Sequence, residues 1–297
     1  MSEGRQNRGI EFALLGLLSL LWGSSYLFAK TALADVPPLT LIAARVSIAA
    51  VVLVAVAAMQ GHALPRNGRS WRMLFVQAIF NSIAAWTILA WGQQFIDSGL
   101  ATALNSTAPL FVLVLALVLG QSRLQPTHLV GACVGLFGVV LIVGTEALNG
   151  LGQHVWAQLA AIFGAILYAC AALYGRQLSH LPPVVSAAGT MIWASLVLVP
   201  ASLLLDEPWT LSPSPLALSA IAALALPCTA GALLLYFRLL RTLGSLGVAS
   251  QAYLRSGVGV TLGVVVLGEV VTPTMGLGLA LAIAGVVLAN WPARKPQ

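Results

Sequence analysis

Stretch after stretch of about 20 apolar residues runs through this chain, separated by short, turn-rich connections, and that pattern leaves few folds open. A helix needs about 20 mostly apolar residues to cross the hydrocarbon layer. Measured against that length, the sequence predicts ten membrane spans, near 11–33, 37–59, 73–96, 99–121, 126–144, 155–177, 183–205, 215–240, 245–268 and 272–290. The connections carry turn residues such as Val36-Pro37-Pro38, Pro65-Arg66-Asn67-Gly68 and Leu181-Pro182-Pro183, and none is long enough for a soluble domain. Of the 297 residues, 59% are hydrophobic and 7% charged, against about a quarter charged in soluble domains. A polar shell cannot be built from so few charges, which excludes a soluble enzyme or a disordered chain. The net charge of +6 is not gathered into one basic run, so no nucleic-acid partner is expected.

The charges report orientation instead. With the amino terminus inside, Arg5, Arg8, Arg66, Arg69, Arg72, Arg123, Arg176, Arg238, Arg241, Arg294 and Lys295 all fall on the cytoplasmic side. Asp35, Asp97, Glu146, Asp206, Glu207 and Glu269 lie toward the other side. Orientation follows excess Lys and Arg in short cytoplasmic loops, so both termini are expected in the cytoplasm. The first apolar run exceeds the 7–15 residues of a signal-peptide core and lacks a small-x-small cleavage site, so it reads as an uncleaved helix. Cys133, Cys170 and Cys228 all fall within spans and suggest neither disulfides nor a metal site.

The sequence also repeats itself. Gly99-Leu100-Ala101-Thr102 matches Gly247-Val248-Ala249-Ser250 at an offset of 148, and Leu119-Gly120-Gln121 matches Leu267-Gly268-Glu269 at the same offset. After a one-residue slip, Pro126, Gly131 and Gly138-Val139-Val140-Leu141 match Pro273, Gly278 and Gly285-Val286-Val287-Leu288. This predicts two units, 1–146 and 147–297, of five spans each. Because five is odd, the second unit enters the membrane in the opposite sense. Inverted repeats of this kind characterise many secondary transporters, with substrate held near the midplane between the halves.

The same segments resemble the drug/metabolite transporter superfamily, in particular its ten-helix EamA-type exporters. The resemblance rests on Leu21-Trp22-Gly23-Ser24-Ser25 with Lys30, on Pro37 with Ala44-Arg45, and on Pro109-Leu110-Phe111 through Leu119-Gly120-Gln121. Leu267-Gly268-Glu269 fits the usual Leu-Gly-Glu, whereas Gln121 replaces that Glu in the first half and Ser256 stands where a Pro is usual. Within the superfamily the chain is most similar to YddG-like amino-acid exporters. The resemblance implies export of amino acids, aromatic and other neutral ones with broad specificity, or of similar metabolites across a bacterial inner membrane. The transported partner is then a small molecule, and the chain sits in the bilayer as a monomer or weak homo-oligomer.

Chemistry-bearing motifs are sparse. There is no phosphate-binding G-x-x-x-x-G-K-[ST] loop, His62, His128, His154 and His180 stand singly, and no acid accompanies a His at mid-depth. No cofactor, metal or enzymatic activity is expected, so transport must draw on a gradient. Polar side chains at membrane depth face the interior or water. The substrate-binding candidates are Trp22, Asn81, Trp86, Asn105, Tyr168, Thr229, Gln251 and Arg255. Each has a bland reading beside it: Ser and Thr often bond their own helix backbone, and a Trp or Tyr often packs or anchors at the interface. Gly131-x-x-x-Gly135 and Gly259-x-x-x-Gly263 read as close-packing surfaces.

Two arginines are harder to explain away, because Arg stays charged and can grip a carboxylate through paired hydrogen bonds. Arg45, toward the outer half of its span, reads as snorkelling or capping a neighbour; Arg255 lies nearer mid-span and reads as the carboxylate anchor. A drug or quaternary-ammonium exporter of the same fold, and a channel, are the alternatives. Proton antiport and facilitated export stand level, since no deep carboxylate is evident.

Overall fold

The computed structural model describes residues 3–120, 130, 131, 133–138, 141, 153–236, 238, 239, 242 and 251–289, and the regular structure among them is entirely helical. The helices are α1 (Glu3–Ala32), α2 (Pro38–Met59), α3 (Gly68–Gln93), α4 (Ser98–Val118) and α5 (Gln153–Tyr174). They continue with α6 (Pro183–Leu205), α7 (Pro215–Tyr236), α8 (Gln251–Leu267) and α9 (Pro273–Ala289). Residues 133–138 are helical as well. Among the described residues, stretches in α1 to α7, seven in all, are long and apolar enough to cross a membrane; α8 and α9 hold the shorter apolar runs Leu254–Leu267 and Pro273–Gly285. Most of the predicted span 126–144 and the start of 245–268 lie outside the described residues.

Local chemistry sets the helix starts. Pro38, Pro183 and Pro215 stand in first turns, where a missing N–H costs nothing. Asn67 accepts from the Ser70 amide and Ser214 from the Ala217 amide as side-chain caps. α2 and α6 form the most extensive helix pair, with Leu41, Ile42, Val46 and Leu53 buried in the same core as Val185, Met191, Ala194 and Leu198. α1 packs on α7 and α8, while α5 packs on α3 and α4. Those two sets exchange under the 148-residue offset, and α2–α6 and α4–α8 each map onto themselves.

Finer marks repeat at the same spacing. Gly120 and Gly268 close their helices in the left-handed region, at φ 66° and 68°, where a Cβ would be strained. π-helical turns interrupt α3 at Ile79–Ile83 and α7 at Leu226–Gly231. Pro227 accounts for the second by withdrawing a backbone donor; π turns recur at functional sites. The glycine stripes are packing surfaces. A Cβ on Gly285 would come 2.3 Å from the Gly135 amide nitrogen, and one on Gly259 would come 2.5 Å from the Thr102 methyl.

Acidic residues fasten one end of the bundle. Asp206 accepts from the Thr40 amide at 2.8 Å in the first turn of α2. Asp35 accepts from the Ser214 amide and hydroxyl at the start of α7, which holds its carboxyl below the ordinary range. Glu269 accepts from the Ser98 and Gly99 amides, at 2.6 and 2.8 Å, capping α4 from the other half of the chain. Lys30 donates to the Gln93 and Ile96 carbonyls at 2.7 and 2.9 Å, closing the C-terminal end of α3. The α3–α4 connection is therefore held by a cation at one helix's negative end and an anion at the next helix's positive end. Gly263 makes room for this cap: a Cβ there would lie 2.1 Å from Glu269 Oε2.

Replacing Glu269 by Ala removes the α4 cap and is expected to cost about 1 kcal/mol. Glu269→Gln keeps one acceptor and should cost less, whereas Gly263→Leu should cost at least as much as Glu269→Ala. Melting temperatures in detergent, in the order wild type, E269Q, E269A, check this.

Candidate functional site

The broken helices converge on a group of polar and aromatic side chains in the bundle interior. Arg45 projects from α2. Its Nε donates to Thr229 Oγ1 at 2.8 Å, and its guanidinium carbon stands 3.7 Å from the Trp86 ring centroid. Thr229 in turn donates to the Leu224 carbonyl at 2.7 Å, five residues back, a geometry the α7 π turn creates. Trp86 is buried one turn beyond the α3 π segment. Its indole Nε1 is buried without a hydrogen-bond partner, and Tyr168 lies close to it and within electrostatic range of Tyr26, Arg45 and Arg255. Five helices thus supply Tyr26, Arg45, Trp86, Tyr168 and Thr229 to one locus, and α8 brings Arg255.

Asn105, 1% exposed on α4, completes the group. Its side-chain amide donates to the Tyr26 hydroxyl, while its Oδ1 is buried without a hydrogen-bond partner. Just beyond it α4 breaks at Ser106 and Thr107. Pro109 has no N–H to return to the Asn105 carbonyl, as the i to i−4 ladder requires. Arg255 Nε is likewise buried and without a partner. Among the described residues the only ion pair is Arg238–Glu11, near the opposite end from Glu269. Neither interior arginine therefore has a carboxylate partner among those residues.

The remaining candidates fall elsewhere. Trp22 is half-buried against Tyr236, with ring centroids 5.5 Å apart. Asn81 lies in the π turn and donates to the neighbouring Ser82 at 3.1 Å. Gln251 opens α8; its Oε1 is buried without a partner. Thr102, Ser106 and Thr107 bond carbonyls of their own helix, the ordinary role for such residues. Trp193 is a packing residue, its indole donating to the Trp71 carbonyl at 3.0 Å.

Arg45 departs from the sequence reading. It neither snorkels nor caps a helix end but lies inside the site, because its position on α2 faces α3 and α7. Tyr26 was not singled out; its one signal is the i, i+4 spacing from Trp22 on α1.

A helical bundle of membrane-crossing length, with a charged and aromatic interior and helices interrupted at that depth, defines a multi-pass membrane transporter of the broken-helix type. The chain belongs to the EamA-like transporter family, whose model matches residues 9–144 and 155–291. It is 27% identical over 279 residues to YedA, an uncharacterised inner membrane transporter of Escherichia coli strain K12, covering 94% of this chain and 90% of YedA. Over 282 residues it is 27% identical to a protein of Streptantibioticus cattleyicolor named as a probable terminal-alkyne amino-acid exporter, covering 93% of this chain and 92% of that one. The uncharacterised transporter YvbV of Bacillus subtilis is 26% identical over 292 residues, covering 96% and 92%. A solved crystal structure shares the fold with a TM-score of 0.66 and 22% identity, covering 95% of this chain and 98% of its own.

The two arginines should separate on mutation. Arg45→Gln loses a charged hydrogen bond and a cation–π contact, together about 2 kcal/mol or more. Arg255→Gln removes a half-buried guanidinium whose Nε has no partner and is expected to leave the melting temperature unchanged or raise it. Thermal unfolding of both purified variants checks the contrast.

Proposed function

We propose that this protein exports amino acids, or small metabolites resembling them, across a bacterial inner membrane by alternating access. One observation carries the reading: Arg255 presents a buried, unpartnered guanidinium N–H at the site, next to aromatic side chains, with no described carboxylate to neutralise it. A ligand carboxylate supplies the missing charge, and Trp86 and Tyr168 offer apolar surface to its side chain. The family and the Streptantibioticus relative's name agree with such cargo. The mirrored packing, π turns and left-handed glycines favour two inverted units, 1–146 and 147–297, rocking about the shared site. The ten-span count with both termini in the cytoplasm belongs to the same reading, as do the site assignments.

Counterflow into proteoliposomes with a panel of radiolabelled amino acids tests it. Neutral and aromatic amino acids should exchange, and Arg255→Gln should slow that exchange by tenfold or more. Unchanged exchange removes Arg255 from the site; exchange of quaternary ammonium compounds in place of amino acids replaces the reading by its drug-efflux alternative.

Coupling follows from where the acids stand. The acidic side chains described lie near the ends of the membrane-crossing stretches, and Glu11, Asp35, Asp206 and Glu269 are engaged there in hydrogen bonds. A proton-coupled carrier commonly relies on a carboxylate or histidine inside the membrane. Export here is facilitated and runs down the substrate's own gradient. A pH-jump flux assay should show the same initial rate with and without a proton gradient.

A further inference from the structure

An amino-acid carrier must hold an α-ammonium as well as a carboxylate. Ordinarily an acid does this, and among the described residues none reaches the site. What the site offers is an unfilled acceptor. Asn105 is 1% exposed, its Nδ2 is committed to the Tyr26 hydroxyl, and its Oδ1 is buried without a partner. Leaving a buried acceptor unmade is costly, so it is a place where a ligand donor gains most.

The placement is fixed by packing between the two halves. Along the α4–α8 contact, a Cβ on Gly263 would lie 3.1 Å from Ser98 Oγ and one on Gly259 would lie 2.5 Å from Thr102. Ser256 then hydrogen-bonds Ser106. The ladder 98–263, 102–259, 106–256 sets the turn holding Asn105 level with the turn holding Arg255. Both meet the same turn of α1: Asn105 through Tyr26, and Arg255 through its carbonyl, 2.9 Å from where a Gly23 Cβ would stand. Pro109 adds to this by denying the Asn105 backbone carbonyl its usual amide. An unpartnered donor on Arg255 and an unpartnered acceptor on Asn105 thus flank one locus.

We infer that Asn105 is the ammonium-reading residue of the site: its Oδ1 accepts from the α-ammonium of a zwitterion whose carboxylate lies on Arg255. This rests on the amino-acid reading above and goes further, making the free amine a requirement for substrates. A carbonyl oxygen, unlike a carboxylate, accepts an ammonium without drawing cations that lack a carboxylate, which suits a site holding two guanidiniums.

The test is competition in proteoliposome counterflow. Tritiated phenylalanine and leucine are the labelled substrates; 3-phenylpropionate and 4-methylpentanoate are their amine-free twins. In wild-type protein the twins should compete at least tenfold less well than the parent amino acids. Asn105→Leu should erase that gap, bringing the ratio near one, while Asn105→Asp should restore it. A residue that only packed against Tyr26 would weaken parent and twin together and leave the ratio intact. Equal competition by twin and parent in wild-type protein, or an unchanged ratio in Asn105→Leu, overturns the assignment while the amino-acid reading stands. Absence of phenylalanine and leucine counterflow overturns both.

Discussion

Hydrocarbon offers no hydrogen bonds, so a chain in the bilayer must satisfy its own backbone and bury its own charges. Every feature of this protein answers to that. Long helices close their amides internally. Where a helix ends, a side chain stands in for water: Asp206 on α2, Glu269 on α4, Asp35 and Ser214 on α7, Lys30 on the carbonyls of α3. Where a helix is interrupted, at the α3 and α7 π turns or the Ser106–Thr107 break, the side chains turned inward include Ser82, Thr229 and Thr107, which are buried, while Leu226 and Pro227 of the α7 turn are exposed. Glycines at 259, 263 and 285 let backbones approach closely enough to make this possible.

Against that economy the interior polar groups left unmatched acquire meaning. Arg45 is absorbed into the structure by Thr229 and Trp86. Arg255 Nε and Asn105 Oδ1 are not. They lie on α8 and α4, which the 148-residue repeat relates and which pack directly on each other. In the proposed alternating-access reading, a site between two symmetry-related elements would open to one side or the other as they tilt, without itself being rebuilt.

Hydropathy made the spans legible because a crossing helix is a one-dimensional property: the predicted 37–59 and 183–205 match Pro38–Met59 and Pro183–Leu205 closely. The fold class followed from the same signal together with the repeat. The site was harder to read, because it depends on which way a residue points around its helix. α2 has nearly uniform hydrophobicity on all sides, so nothing in its pattern turned Arg45 inward. Tyr26 looked like one more residue of an apolar run until Asn105 appeared beside it. The Leu-Gly-Glu motif was visible as a motif, but its reason, a carboxylate seated on the first turn of α4, needed a contact between residues 171 positions apart.

That long reach also carries a consequence for biosynthesis. The amides at the start of α4 emerge from the ribosome well before the residue that will cap them. At about 5–20 residues per second, the wait is roughly ten to thirty seconds. During that interval the first half stands in the bilayer with an open helix end, and only completion of the second half closes it. Maturation of the α4 end is thereby timed by synthesis of the segment that carries Glu269.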